Sequence, residues 1–126
     1  MAKPLHILSV DDSFPVAHAV SFALSNPARK LTLAYDGAEA LAKIAQHSEP
    51  PFDVVIIDHK MPRLSGIELV QHLRAGNFRG KIIVLSAHLT DENRRSYEEL
   101  KVDAMVDKPF DVYEIRQVVD SLAKVA

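Results

Sequence analysis

Three aspartates at the ends of two apolar segments are the residues best suited to do chemistry. Asp11 and Asp12 follow the segment Leu5–Val10, and Asp58 follows the continuous apolar run 54–57. If both segments are strands of one parallel sheet, the three carboxylates meet at the edge where the strands end. Such a cluster repels itself unless a cation lies within it, and Mg²⁺ prefers oxygen ligands and needs few protein carboxylates. The pattern therefore predicts a divalent metal held beside one reactive carboxylate.

Five apolar segments must position these side chains, and each leaves room for one helix after it. They lie at 5–10, 30–35, 52–57, 81–85 and 104–106. The third and fourth contain continuous apolar runs, which are typical of strands covered on both faces and therefore of a parallel sheet. Alternation of strand and helix five times predicts an α/β fold, a doubly wound (βα)5 sandwich.

Start signals mark the intervening helices. Three of them show a capping residue followed three positions later by glutamate, which is the capping box or its aspartate variant. The pairs are Asp36 with Glu39, Ser65 with Glu68, and Asp111 with Glu114. Pro15 suits a first helical turn, where its missing N–H costs nothing. The polar stretch 90–100 predicts a lightly attached, solvated helix with Tyr97 and Leu100 as its main anchors.

Composition limits the function classes. The 126 residues suit one domain, 1–126, and a net charge of −2 gives no footprint for nonspecific nucleic-acid binding. The absence of cysteine excludes disulfides, thiolate metal sites and a cysteine nucleophile. No apolar run approaches the roughly 20 residues needed to cross a bilayer. We therefore expect a soluble intracellular protein located in the cytoplasm.

Polar side chains also follow the fourth and fifth predicted strands. Ser86 ends one, and Lys108 with Pro109 follows the other. Open α/β sheets bind ligands at the carboxyl ends of their strands. An acidic pair, a lone carboxylate, a hydroxyl and an ammonium suit phosphoryl transfer to a carboxylate. The lone carboxylate would attack, a metal would neutralise charge, and the other two groups would hold phosphoryl oxygens.

Four motifs in order resemble the CheY-like receiver domain of two-component response regulators, over nearly the whole chain. They are Val10-Asp11-Asp12, Asp58-His59-Lys60-Met61-Pro62 with Gly66, Ser86-Ala87, and Lys108-Pro109-Phe110. The resemblance implies a flavodoxin-like sheet of five parallel strands in the order 2-1-3-4-5. It also implies a switch that a sensor histidine kinase or a histidine phosphotransfer protein phosphorylates.

The resemblance implies a role for each acidic residue. Asp58 would accept the phosphoryl group, in a reaction that depends on Mg²⁺. Asp12 would bind the metal directly, and Asp11 would contribute mainly through water. The backbone carbonyl of Lys60 would complete the protein's share of the metal shell, to which Asp58 also belongs.

Ser86 and Lys108 would hold the phosphoryl oxygens, and the bond between Lys108 and Pro109 would be cis. The resemblance further implies that a downstream protein binds the face formed by the fourth helix, the fifth strand and the fifth helix. Four side chains are expected on this face: Tyr97, Leu100, Met105 and Tyr113.

Three features depart from the family pattern. Met105 stands where the family usually has a Tyr or Phe that turns inward with the hydroxyl of Ser86, which puts that coupling in doubt. Lys101 stands where many receivers have Gly, so the fourth helix either accepts a left-handed residue or ends differently. Lys60 and His88 lie two residues after the phosphoacceptor and the hydroxyl. We hypothesise that these bulky, potentially cationic side chains slow the loss of phosphate.

Each feature has a plainer interpretation when taken alone. Asp11 with Asp12 would be a turn, Ser86 a hydroxyl bonded to backbone, and Lys108 a solvated charge. Arg94 with Arg95 would be solvated helix surface, or else a partner contact. The histidines are scattered without the spacing of a zinc site. They are His6, His18, His47, His59, His72 and His88.

The leading interpretation is a stand-alone receiver that catalyses only its own phosphorylation and slow dephosphorylation, without direct nucleic-acid or membrane partners. Alternatives are a receiver excised from a larger regulator or hybrid kinase, and a pseudo-receiver that binds partners without phosphorylation. Dimerisation on phosphorylation is left open. A phosphatase of the haloacid-dehalogenase type would need a second aspartate two residues after the nucleophile, where Lys60 stands.

Overall fold

The computed structural model describes residues 4–46, 51–61, 63–87 and 89–123. Its elements alternate strand and helix, as predicted. In chain order they are β1 (Leu5–Val10), α1 (Phe14–Leu24), β2 (Arg29–Ala34), α2 (Gly37–Gln46), β3 (Val54–Asp58), α3 (Gly66–Ala75), β4 (Lys81–Ser86), α4 (Asp91–Glu99), β5 (Ala104–Asp107) and α5 (Val112–Ala123). None of the helices in these ranges has the length and apolar character needed to cross a membrane.

The five strands form one parallel sheet in the order β2-β1-β3-β4-β5. This confirms the doubly wound, flavodoxin-like fold. The central strands β1, β3 and β4 are buried almost throughout, which explains their continuous apolar sequences. The third strand starts at Val54 rather than at 52, and the second at Arg29 rather than at 30. Chain order reverses beside β1, and ligands bind such sheets at the carboxyl ends of the strands there.

Two apolar cores cover opposite faces of the sheet. One packs α2, α3 and α4 against it through side chains that include Ala40, Leu69 and Tyr97. The other packs α1 and α5 through side chains that include Val20 and Ile115. Burying each large aliphatic side chain stabilises the fold by roughly 1.5–3 kcal/mol. Both faces therefore hold the strands in place, and with them the side chains at the strand ends.

The predicted helix starts are present. Ser65 Oγ accepts from the backbone N–H of Glu68 at 3.2 Å, and Glu68 Oε1 accepts from the N–H of Ser65 at 3.1 Å, which completes the capping box of α3. Asp36 and Asp111 accept from the backbone N–H three residues later, at 2.7 and 2.8 Å. Pro15 lies in the first turn of α1. Local sequence thus determines where these helices begin.

The polar helix α4 is anchored by Tyr97, as the sequence predicts. The side chain of Tyr97 is fully buried in the core, which corrects the expectation that it lies on the signalling face. Leu100 is half-buried against the same core. Lys101 follows the helix with φ 59°, its N–H donating to Glu98 O and that of Val102 to Tyr97 O. Of the two predicted helix endings, the structure shows the left-handed one, in a Schellman motif without glycine.

Candidate functional site

Asp58 is the last residue of β3 and the centre of the candidate site. Its side chain is buried, and Oδ1 accepts a hydrogen bond of 2.6 Å from Lys108 Nζ. Burial raises the pKa of Asp58, whereas the hydrogen bond and the positive charge of Lys108 act in the opposite direction. Lys108 therefore favours the ionised carboxylate, which is the form that can attack phosphorus.

Lys108 reaches the site from the loop after β5. Its backbone N–H donates to the carbonyl of Ser86 at 2.8 Å, which joins this loop to the end of β4. The bond between Lys108 and Pro109 is cis, as the family resemblance implied. Lys108 Nζ also lies 3.6 Å from Asp11 Oδ2, so that one ammonium faces two carboxylates.

Asp11 and Asp12 lie just beyond the end of β1. Asp11 is buried and its Oδ1 accepts from the N–H of Ser13 at 2.9 Å, while Asp12 is exposed. Asp11 Oδ2 is buried and makes no hydrogen bond among the residues that the structure describes. One oxygen from each of Asp11, Asp12 and Asp58 lies within 4.8 Å of the others. The edge of the sheet thus brings the three carboxylates together.

This cluster fits a hard divalent cation. Burial raises the pKa of Asp11, and the charges of Asp58 and Asp12 raise it further, against the lowering effects of the Ser13 hydrogen bond and of Lys108. A hydrated cation in the cluster would satisfy the buried oxygen of Asp11 that lacks a hydrogen bond, through a bound water, and would offset the mutual repulsion. Carboxylate oxygens are also the ligands that Mg²⁺ prefers.

A cleft of about 400 Å³ opens over the carboxylate of β3. Its lining consists of Asp58, His59, Lys60, Ser86, Ala87 and Lys108. Ser86 is buried at the end of β4, in register with Asp107 of β5, whereas the side chain of Lys60 is exposed. The predicted nucleophile, hydroxyl and ammonium therefore share one cleft. The use of the Lys60 carbonyl as a metal ligand remains a prediction.

Comparison with protein families identifies the chain. Residues 7–120 match the model of the response regulator receiver domain. The chain belongs to this family. The response regulator MprA of Mycolicibacterium vanbaalenii is 37% identical to this receiver over 112 residues, which are 89% of this chain and 47% of the relative. A probable transcriptional regulatory protein, TcrX of Mycobacterium tuberculosis, is 34% identical over 113 residues, with 90% and 47% covered. The receiver spans about half the length of these curated relatives.

Solved structures agree with this assignment. The receiver domain of the Francisella response regulator 1452 is 32% identical to this receiver, with a TM-score of 0.85 over 95% of this chain and 97% of that one. The Vibrio cholerae chemotaxis protein CheY4 is 28% identical, with a TM-score of 0.84 over 96% and 99% of the two chains. The likeness therefore extends over almost the whole receiver fold.

His59, to which the sequence assigned no role, connects the site of this receiver to α4. Its Nδ1 lies 2.6 Å from Tyr97 Oη, with the two rings edge to face at 5.5 Å, and its Nε2 lies 3.3 Å from Asn93 Nδ2. Burial lowers the pKa of His59. The pKa of Tyr97 is raised, mainly by burial and to a smaller extent by the negative charge of Asp58. The sequence feature that could have pointed to this contact is Tyr97, an aromatic residue in an otherwise polar helix.

Met105 lies on β5 and is half-buried against the core that contains Tyr97. Its side chain is therefore directed to the face of the sheet that carries α4. A weakened coupling between Ser86 and Met105 remains a prediction. His88 and His47 lie outside the described residues, as does Pro62.

The other histidines of the receiver show no metal-binding arrangement. His6 is buried with its ring 4.1 Å from that of Phe52, and His18 and His72 are exposed. Within the ranges that the structure describes, none joins a cluster of three or more metal-type ligands. The carboxylate cluster is thus the metal-site candidate in those ranges.

Proposed function

We propose that this receiver transfers a phosphoryl group from the phosphohistidine of a sensor kinase or phosphotransfer protein onto Asp58. The observation that carries the proposal is the 2.6 Å contact between Asp58 and Lys108 inside a cluster of three carboxylates. The contact orients the carboxylate as a nucleophile, and the same ammonium can then stabilise negative charge on a phosphoryl oxygen.

In the transfer, an oxygen of Asp58 forms a bond to phosphorus as the bond from phosphorus to the donor imidazole nitrogen breaks. The imidazole keeps the electron pair of that bond and takes a proton from solvent, which leaves an acyl phosphate on Asp58. Lys108 and Ser86 bind the phosphoryl oxygens. Mg²⁺ held by Asp11, Asp12, Asp58 and the carbonyl of Lys60 would supply neutralisation of the phosphoryl charge.

The receiver catalyses its own dephosphorylation slowly, by attack of water on the same phosphorus. Lys60 borders the cleft with an exposed side chain, so it lies beside the route by which water enters. Its bulk hinders the approach of that water and its positive charge binds it. Both effects lengthen the half-life of the phosphoryl group on Asp58. From its position in the sequence alone, we expect the side chain of His88 to slow dephosphorylation as well.

The signal leaves through the face of α4, β5 and α5. On this face Tyr113 is 72% exposed, and Leu100 and Met105 are half-buried. An exposed aromatic ring and partly buried apolar side chains on one face suit a protein partner. We take residues 1–126 as one cytoplasmic receiver without catalytic output. A place within a longer regulator is the alternative, because the curated relatives are about twice as long.

Intact mass after incubation with acetyl phosphate tests the proposal. One phosphoryl adduct should form with Mg²⁺, disappear with a chelator, and be absent in Asp58→Asn. Asp107→Asn is the matched control because that carboxylate is exposed, and it should be phosphorylated like the wild type. No adduct on a folded wild-type protein, with the donor active on another receiver, would favour a pseudo-receiver.

A further inference from the structure

The residue after the proposed phosphoacceptor is fixed by its backbone on two sides. The N–H of His59 donates to the carbonyl of Leu85 on β4 at 2.9 Å. Its own carbonyl accepts from the N–H of Gly66, the first residue of α3, at 3.0 Å. The imidazole is therefore carried by a peptide that cannot shift without disturbing the end of β3, where Asp58 lies.

The imidazole of His59 contacts two residues of α4. Tyr97 Oη lies 2.6 Å from Nδ1, and Asn93 Nδ2 lies 3.3 Å from Nε2. Asn93 and Tyr97 are four residues apart, so they lie on the same face of the helix. One planar ring with two contacts one turn apart constrains both the position and the rotation of α4 relative to β3.

The surroundings of Tyr97 Oη leave it little room to move. A Cβ built on Gly66 would lie 2.5 Å from this oxygen and 2.9 Å from the Cα of His59. The hydroxyl therefore rests against backbone at the start of α3, in a place that only glycine at position 66 permits. Because Tyr97 is also fully buried, a displacement of His59 cannot be absorbed by rotation of the tyrosine ring into solvent.

We propose that His59, Tyr97 and Asn93 form a positioning link through which the phosphorylation state of Asp58 sets the position of α4. The inference rests on the proposed function of Asp58. A phosphoryl group there adds negative charge and three acceptor oxygens one residue from His59. The link carries the resulting movement to α4 through hydrogen bonds. Met105, whose thioether is at most a weak acceptor, provides no comparable polar connection.

Electrostatics supports the same connection. The charge of Asp58 acts on the hydroxyl of Tyr97, because it adds to the effect of burial in raising the pKa of that residue. The hydroxyl of Tyr97 therefore lies within the electrostatic field of Asp58. A phosphoryl group, with more negative charge than the carboxylate, would act on it more strongly.

Hydrogen exchange of the α4 amides, with and without acetyl phosphate and Mg²⁺, tests the link. Tyr97→Phe removes the hydroxyl and keeps the ring packing. Asn93→Ala removes the second contact and keeps the backbone N–H that Thr90 Oγ1 caps at 3.1 Å. Tyr35→Phe is the matched control, since it makes the same chemical change at an exposed residue that follows β2, the edge strand opposite β5. Intact mass measures phosphoryl incorporation in every sample.

The link predicts that phosphorylation changes α4 protection in the wild type and in Tyr35→Phe. In Tyr97→Phe, at equal phosphoryl incorporation, the phosphorylation-dependent change in α4 protection should be about twofold to tenfold smaller. This factor corresponds to the loss of one hydrogen bond. Asn93→Ala should shrink the change less, in the same direction. A purely structural role would alter exchange equally in both forms and leave their difference intact.

Two failures can be told apart. A wild type that takes up no phosphoryl group overturns the proposed function of Asp58, and the link with it. A wild type that is phosphorylated without an α4 response, or a phosphorylated Tyr97→Phe with the full response, overturns the link alone. If Tyr97→Phe does not fold, Asn93→Ala decides, and an undiminished response in that variant overturns the link.

Discussion

Replacing Asp11 with asparagine should stabilise the metal-free protein. Asp11 is buried, and its oxygen cluster places two other carboxylates within 4.8 Å and Lys108 Nζ at 3.6 Å. At an effective dielectric constant of about 20, each carboxylate repels Asp11 by roughly 3 kcal/mol and Lys108 attracts it by roughly 5 kcal/mol. The repulsion from Asp12 is weaker than this figure because Asp12 is exposed to water. Burial of the Asp11 charge further destabilises the metal-free protein.

We therefore expect Asp11→Asn to raise the free energy of unfolding by about 1 kcal/mol in a chelator, from the balance of these charges. The amide keeps an acceptor for the N–H of Ser13, and Lys108 keeps Asp58 as its partner at 2.6 Å. No buried group is left without its charge partner, which is the usual reason why such changes destabilise.

With Mg²⁺ bound, the wild type should become more stable than Asp11→Asn. A ligand that binds only the folded state, at about one hundred times its Kd, adds about 2.7 kcal/mol of stability. The wild type should show this gain in urea unfolding, and Asp11→Asn should lose most of it. Asp107→Asn, an exposed control, should stay within about 0.5 kcal/mol of the wild type in both conditions. A destabilised Asp11→Asn in chelator, or an equal gain from Mg²⁺ in the variant, would refute the reasoning.

Three further changes test separate features. Lys101→Gly should raise the free energy of unfolding in urea by roughly 0.5–1 kcal/mol, because glycine tolerates the φ of 59° at this position. Asn77→Gly should show a smaller gain in the same assay, since asparagine already tolerates the same φ. Gly66→Ala should cost roughly 1–3 kcal/mol in the same assay, because its Cβ would meet Tyr97 Oη at 2.5 Å; unchanged stability would contradict the close packing. Lys60→Ala should lose its phosphate several-fold faster after donor removal, and an unchanged half-life would count against shielding by Lys60.

The strands and helix starts follow from local sequence. The central strands are covered on both faces, so their sequences are apolar without alternation, as in 54–57. Caps such as Ser65 act on backbone groups three residues away and can be found within one turn. The starts of β2 and β3 were displaced by one and two residues because strand ends depend on pairing with neighbours rather than on hydrophobicity alone.

Contacts across the fold were harder to foresee. His59 and Tyr97 are separated by 38 positions, and neither lies in a motif that points to the other. The sequence predicts Tyr97 as an anchor of α4, but a polar helix has no apolar stripe from which its full burial could be predicted. The approach of Lys108 to Asp58 was expected from the family resemblance, because their separation of 50 positions carries no local signal.

The most direct test of the central claim is to locate the phosphoryl group on the chain. Borohydride reduces an acyl phosphate of aspartate to homoserine, which peptide mass mapping can assign to one position. After phosphorylation with acetyl phosphate and Mg²⁺, we expect homoserine at position 58 and at no other aspartate. Homoserine at position 11 or 12, with Asp58 intact, would contradict the assignment of Asp58 as the phosphoacceptor.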